Sequence, residues 1–361
     1  MRFNRSSILL SVIAAVVLVP CLTAKSGIAT TLTSAAMLQD ANAIWKQAAA
    51  DYNAGHFDQA VAEYKQAIAL LPNNSDLYYW LGNSYYKQLN WSDAASAYRE
   101  AIRLKPDYYE PYVYLGNCLD SLGHFDDAIS IYRKAMDLKP QEPQAYFELG
   151  VAYFNRDNYP PAIDLYQKAI SLKQDYPHAH RNLGQVLHLS GRTEEAIPEY
   201  QEELRIDSND AATYRLLGDA YEKLKRHDDA IPAYSQAIRL NATDKLAYLG
   251  LGNVYYNTNK YPQAAENYKQ TVKVDPSYAL GFFYLGDAYR MGNQFPDAIA
   301  AYKEAVRLKS DYADAYYSLG LAYIGNNDQA SAQQTVEALK GMNPQMAEKL
   351  QAKIPKAPTA Q

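Results

Sequence analysis

The chain has 361 residues, 48% of them apolar, a formal net charge of −5 and two cysteines. The acidic balance gives no support to a basic nucleic-acid stripe, so no nucleic-acid partner is expected, and two cysteines cannot build a disulfide framework. No P-loop, GxGxxG or HExxH occurs, and the GxG of Leu249-Gly250-Leu251-Gly252 follows no strand, so no catalytic constellation is expected.

The N-terminal segment carries Arg2 and Arg5, then an apolar run from Ile8 to Val19. That is the layout of a secretory signal peptide. Even extended to Leu22, the run spans only ~22 Å as a helix, against ~30 Å of hydrocarbon. We expect a signal peptide over residues 1–29, cleaved after Ala29 or alternatively after Ala24, and a linker over 30–40. The product is then exported, either periplasmic or secreted. An anchor made by a retained N-terminal segment, or by lipidation of Cys21, is the alternative, although Pro20 stands where a lipidation motif wants a small residue. Cys118 would remain as a lone thiol, which suits an oxidising compartment. Loss of Arg2, Arg5 and Lys25 makes the chain more acidic still.

From residue 41 the sequence repeats. Gly82 recurs as Gly116, Gly150, Gly184, Gly218, Gly252, Gly286 and Gly320, in steps of 34 residues and each after a Leu. An Ala column (Ala60 to Ala332) and a Tyr column (Tyr64 to Tyr302) keep the same step. Tyr78, Leu81 and Tyr85 share one helical face, and Ala94, Tyr98, Ala101 and Ile102 share another. Pro160, Pro262 and Pro296 sit at the start of the second helix, whereas Pro106, Pro140 and Pro276 stop it. Each unit is thus a helix–turn–helix.

These residues resemble the tetratricopeptide repeat. The pattern aromatic-x-x-Leu-Gly-x-x-Tyr, then Ala-x-x-x-Tyr-x-x-Ala and a terminal Pro, is met almost in full from Tyr78 to Pro106. Nine repeats are read: 41–74, 75–108, 109–142, 143–176, 177–210, 211–244, 245–278, 279–312 and 313–346. The first has Gln47-Ala48 for Leu-Gly, and the last has Val336 and Leu339 for Tyr and Ala. The resemblance implies an all-α, right-handed α-α superhelix, a solenoid stabilised by nearest-neighbour interfaces. The segment after Pro344 is expected to cap it, with residues 347–361 holding the end of that helix and a disordered tail. The resemblance further implies that the Gly and Ala columns face each other where the two helices of a repeat cross. It also implies a concave groove, lined by first helices, that binds partner peptides.

The candidate groove residues lie one helical step from the packing face of the first helices. In the early repeats they are Tyr79, Trp80, Asn83, Tyr86, Tyr114 and Asn117. In the later repeats they are Phe147, Phe154, Arg181, Arg215, Asn253, Tyr256, Phe283, Tyr284 and Tyr317. Aromatic side chains interspersed with Asn suit a binding surface, and the Asn side chains could hydrogen-bond an extended backbone. The alternative is that the rings simply pack neighbouring first helices together. Arg181 and Arg215, one repeat (~10 Å) apart, could grip a carboxylate or phosphate unless Glu148, Asp219 and Glu222 neutralise them. The family's carboxylate clamp is not expected, because Trp45 and Tyr79 occupy its Lys position.

His180 and His188 stand ~12 Å apart along one helix, too far to share a metal, so no metal or cofactor is expected. Asn90-Trp91-Ser92 and Asn241-Ala242-Thr243 match the glycosylation sequon and are read as chance matches. The sequence therefore reads as an exported, non-enzymatic scaffold for a protein or peptide partner. The alternative is a membrane-associated subunit of a pilus-type or exopolysaccharide-export assembly, with membrane contact only through a retained N-terminal segment or a lipidated Cys21.

Overall fold

The computed structural model describes residues 26–355. The expected signal segment up to residue 25, Cys21 included, and the end of the tail lie outside the described residues. All regular structure within them is helical, and it falls into two compact units, one ending at Lys139 and one beginning at Pro140.

The first unit holds three hairpins. They are α1 (Ser26–Ala54) with α2 (Phe57–Leu70), α3 (Ser75–Lys87) with α4 (Trp91–Leu104), and α5 (Tyr109–Ser121) with α6 (Phe125–Leu138). The second unit begins with α7 (Pro143–Phe154) and α8 (Tyr159–Leu172), α9 (Ala179–Leu189) and α10 (Thr193–Ile206), and α11 (Ala211–Lys223) and α12 (His227–Leu240). It continues with α13 (Lys245–Asn257) and α14 (Tyr261–Val274), α15 (Ala279–Met291) and α16 (Phe295–Leu308), and α17 (Ala313–Gly325) and α18 (Gln329–Met342). A last helix, α19 (Pro344–Gln351), follows where the capping helix was expected. Residues 30–40, read as a linker, instead lie within α1, which is one 29-residue helix from Ser26.

Each hairpin turn uses one left-handed residue, and that position keeps the 34-residue step. Gly55, Gly123 and Gly191 have φ of +82° to +86°, and Asp157, Asn259, Asn293 and Asn327 have φ of +55° to +59°. Gly, Asn and Asp tolerate this conformation at low cost. Leu89 and Lys225 occupy it at φ +59° and do not. Leu89 is also exposed, so its side chain contributes little packing in return. Leu89→Gly is therefore expected to stabilise the chain by about 1 kcal/mol in urea unfolding, and no gain would show that the turn is not strained.

The packing inside each hairpin corrects one expectation. The Gly column faces the Tyr column, not the Ala column. A Cβ built on Gly82 would lie 2.6 Å from the Tyr98 ring, and one on Gly116 would lie 2.5 Å from Tyr132. The pairing recurs from Gly150 with Tyr166 to Gly286 with Tyr302. All eight Tyr of that column are buried to within 1%. An aromatic ring is wide, so the helix facing it must present bare backbone to let the ring lie flat between the two helices. At Gly320 no Tyr is available, and Leu350 of α19 fills the space instead. The helix-propensity cost of each Gly is outweighed by this burial.

Within the second unit, first helices also touch the first helices of the next hairpin: α7 with α9, α9 with α11, α11 with α13, and α15 with α17. These contacts draw successive hairpins together on the first-helix side.

Candidate partner-binding wall

In the first unit the wall is a run of touching rings. Tyr52 meets Trp80 at 5.4 Å, Trp80 meets Tyr79 at 5.4 Å, and Tyr79 meets Tyr114 at 6.1 Å between centroids. Tyr114 in turn meets Tyr86 at 5.6 Å, and Tyr86 meets Trp91 at 5.0 Å. In the second unit Phe147 sits against Tyr166 and Tyr176, Phe154 against Tyr159, and Tyr256 against Tyr261. Phe283 touches Tyr284, Tyr302 and Tyr312, while Tyr317 packs on the cluster around Val336 and Leu350. Every one of the candidate groove aromatics is half-buried. The rings therefore do join neighbouring helices, and each still keeps part of its surface open.

The Asn column is already engaged. The Tyr98 hydroxyl donates to Asn83 Oδ1 (2.7 Å), Tyr132 to Asn117 Oδ1 (2.5 Å) and Tyr268 to Asn253 Oδ1 (2.8 Å). Asp219 and Asp287 take the same role for Tyr234 (2.7 Å) and Tyr302 (2.6 Å). These Asn carbonyls thus satisfy a buried phenol. The phenols of Tyr64, Tyr166 and Tyr200 lack a hydrogen-bond partner, because Ala49, Val151 and Gln185 stand at that position. Asn182 lies close to Tyr166 without closing a hydrogen bond.

The Arg pair is also engaged, through partners the sequence reading mostly missed. Arg181 Nη1 donates to Asp210 Oδ2 at 2.8 Å. Arg215 bonds Asp219 (3.1 Å) on its own helix and Asp244 (3.3 Å) on the next hairpin. Asp210 and Asp244 are N-cap residues of α11 and α13. Each stands 29 residues after its Arg, and the same spacing links Tyr79 to Tyr108, Phe147 to Tyr176 and Phe283 to Tyr312, at 5.2 to 5.3 Å. In these five cases the wall residue has a matched partner just before or at the start of the next first helix, ring with ring or Arg with Asp. The constant offset and the matched residue types are a signal that could have revealed it.

The TPR repeat profile matches residues 48–88, 116–157, 152–191, 252–292 and 286–327, and further tetratricopeptide repeat profiles match 75–108, 175–243 and 313–346. The chain belongs to the tetratricopeptide repeat family. Proteins built of TPR hairpins are generally non-catalytic scaffolds that bind other proteins. Among solved structures, the chain is similar to the C-terminal part of a TPR repeat-containing protein from Cytophaga hutchinsonii, with a TM-score of 0.58, 18% identity, and 68% of this chain and 100% of that chain covered. It is also similar to pilF of Pseudomonas aeruginosa, with a TM-score of 0.50, 21% identity, and 58% and 96% covered. At these identities the likeness shows the fold alone. No curated protein matches the chain.

The fifth TPR hairpin departs most from its neighbours. Glu203 stands where Ala101, Ala135 and Ala169 stand in earlier hairpins, with 1% exposure, and His178 turns into a left-handed conformation (φ +63°) before a shortened α9. His178 Nδ1 lies 3.2 Å from Glu203 Oε1, and the Arg181 N–H donates to Glu203 Oε2 at 3.3 Å. One ligand atom each from His178, Glu203 and Asp210 fall within 4.8 Å of one another. Arg181 already bonds both carboxylates, so the cluster is an ion-pair network tying α9, α10 and α11. Burial would push the Asp210 carboxyl up, but its Thr213 hydrogen bonds and the Arg181 charge outweigh that and lower it.

His180 replaces a column of Tyr whose hydroxyl ties back to the inter-repeat turn, as Tyr112 does to Pro106 O and Tyr146 to Pro140 O. The imidazole keeps that tie, with Nε2 2.9 Å from Gln174 O and Nδ1 2.7 Å from Glu199. Burial alone would lower its pKa, but the two acceptors hold it above the usual value. A raised histidine stabilises the fold fully below the unfolded-state pKa, and that contribution fades as pH rises through the folded-state value. Relative to His180→Tyr, the wild type should therefore lose stability as pH rises above the ordinary imidazole value of about 6.5. Urea midpoints that move in parallel would refute this.

Proposed function

We propose that this TPR protein is an exported scaffold that holds a peptide segment of a partner protein against its first-helix wall. The observation that carries the reading is the run of half-buried rings from Tyr52 through Trp80, Tyr79, Tyr114 and Tyr86. Such rings offer rigid, amphipathic contact area at low entropic cost, which is what interface anchors need. The export half of the proposal rests on the charged-then-apolar layout of residues 1–29. Among the described residues no helix is long and apolar enough to cross a membrane.

In-cell cross-linking and affinity capture of the tagged full-length protein, read by mass spectrometry, tests the wall. A Tyr79→Ala, Tyr114→Ala variant with unchanged helicity should lose the partners that the wild type captures. Retention of the same partners would place binding elsewhere and sink the proposal. N-terminal sequencing of the mature protein, with fractionation of the cells, tests export: an intact Met1 in the cytoplasmic fraction would refute it.

A further inference from the structure

We propose that the aromatic patch of the first unit, centred on Trp80 and Tyr114, takes the segment Pro355-Lys356-Ala357-Pro358 of a second copy of this chain. This rests on the reading of the first-helix wall as the partner-binding face, and it names an occupant for that face.

The patch is confined to one place. Trp80 and Tyr114 are 34 residues apart, so they hold the same position in consecutive hairpins, as Tyr52 and Tyr86 do. At the Trp80 position the preceding hairpin has Lys46, and the one after Tyr114 has Glu148. Farther on, Tyr284 is aromatic there, but it stands between Gly250 and Ser318. Rings therefore occupy that position in consecutive hairpins only here. Tyr79 bridges the two, 5.4 Å from Trp80 and 6.1 Å from Tyr114. Tyr52 and Tyr86 flank them at 5.4 Å and 5.6 Å. All five rings are half-buried. The Trp80 indole N–H has no acceptor among the described residues and is not sealed from solvent.

The spacing of the patch suits a proline-bearing segment. Proline holds φ near −65°, and a polyproline II segment rises ~3.1 Å per residue with three residues per turn. Prolines at i and i+3 thus fall on one face about 9 Å apart, close to the ~10 Å between neighbouring first helices. Pro355 and Pro358 have this spacing. The other such pair, Pro140 and Pro143, is built into a hairpin connection, and Pro143 is buried. One proline ring packs beside Trp80 and the other beside Tyr114. Polyproline II leaves its backbone carbonyls unbonded, so one accepts from the Trp80 indole N–H.

Reach decides which copy supplies the segment. Ile354 packs on the cluster around Val336 and Leu350, and Pro355 after it is exposed. From Gln351, the end of α19, seven residues to Pro358 span at most ~24 Å. The second unit alone stacks six hairpins between α7 and α18, ~60 Å at ~10 Å each. The segment covers less than half of its own unit, so a second copy provides the patch. Such a contact joins two different surfaces and repeats from copy to copy.

Sedimentation velocity of the full-length protein over a range of concentrations tests this. The wild type should associate as concentration rises. Trp80→Leu, and separately Pro355→Ala with Pro358→Ala, should each weaken association about tenfold with helicity unchanged. Phe283→Leu, a wall ring of the second unit, should not. A mixture of the two defective proteins should form a dimer and nothing larger, because one keeps the patch and the other the segment. A wild type that stays monomeric, or association indifferent to either change, overturns the proposal. Fluorescence anisotropy with a labelled peptide of residues 353–361 identifies the failure. If the chain is monomeric and the peptide binds the proline variant more tightly than the wild type, the segment lies on its own chain and the second-copy proposal falls. A peptide indifferent to Trp80→Leu also overturns it. The wall reading falls as well only if the Tyr79→Ala, Tyr114→Ala variant keeps its captured partners.

Discussion

Gly218→Ala is expected to destabilise this protein, although alanine is the better helix former. In an exposed helix the exchange would gain ~1 kcal/mol. Here the new Cβ would lie 2.8 Å from Cδ1 and Cε1 of Tyr234 and 2.9 Å from Cγ. The ring has 1% exposure and its hydroxyl is fixed on Asp219, so it has nowhere to move. Overpacking of this kind costs about 1–3 kcal/mol and should prevail, leaving a net loss of about 1–2 kcal/mol. Gly341, near the end of α18, is the control, because a Cβ there meets nothing within 4 Å. Gly341→Ala should raise stability by about 0.5–1 kcal/mol. Urea unfolding followed by circular dichroism reads both. Adding Tyr234→Leu to Gly218→Ala should recover part of the loss, since the smaller side chain vacates the contested space. Opposite signs at the two glycines are the discriminating result; equal signs would mean that propensity, not packing, rules the Gly column.

Leu350→Ala should be the most damaging single truncation at the C-terminal end. Leu350 has 0% exposure and fills, against Gly320, the place that a Tyr ring holds in the earlier hairpins. Its removal opens a cavity that α17 and α18 cannot close, at a cost of about 2–5 kcal/mol. The effect should be local, because a stacked array passes energy only between neighbours. Hydrogen exchange should show lost protection in α17, α18 and α19 with α7 to α12 unchanged. Uniform loss, or none, would show that α19 is not a cap.

Much of this molecule is written in one register of 34 residues. Hairpin boundaries, the buried Tyr column, the stop and start prolines and the aromatic stripe all follow from short-range periodicity, which depends only on helix geometry. The stripe was legible for the same reason: Tyr79, Tyr86, Tyr114 and Phe147 recur one helical step off the packing face. What periodicity cannot give is which side chain reaches which. That Gly82 makes room for Tyr98 rather than for an Ala depends on ring width and helix separation. That Asn83 spends its carbonyl on Tyr98 depends on reach across one hairpin, and that Arg181 and Arg215 meet the capping Asp210 and Asp244 depends on reach between two. The same reach sets Tyr108, Tyr176 and Tyr312, which precede α5, α9 and α17, against the wall rings Tyr79, Phe147 and Phe283. The continuity of α1 through residues 30–40 was likewise invisible to a repeat that starts at residue 41. The sequence by itself determined the elements and their faces, since each is a property of a few turns of helix. The tertiary structure alone decided which side chain each polar group of the wall meets, since those partners are brought together only when helices pack across a hairpin or between hairpins.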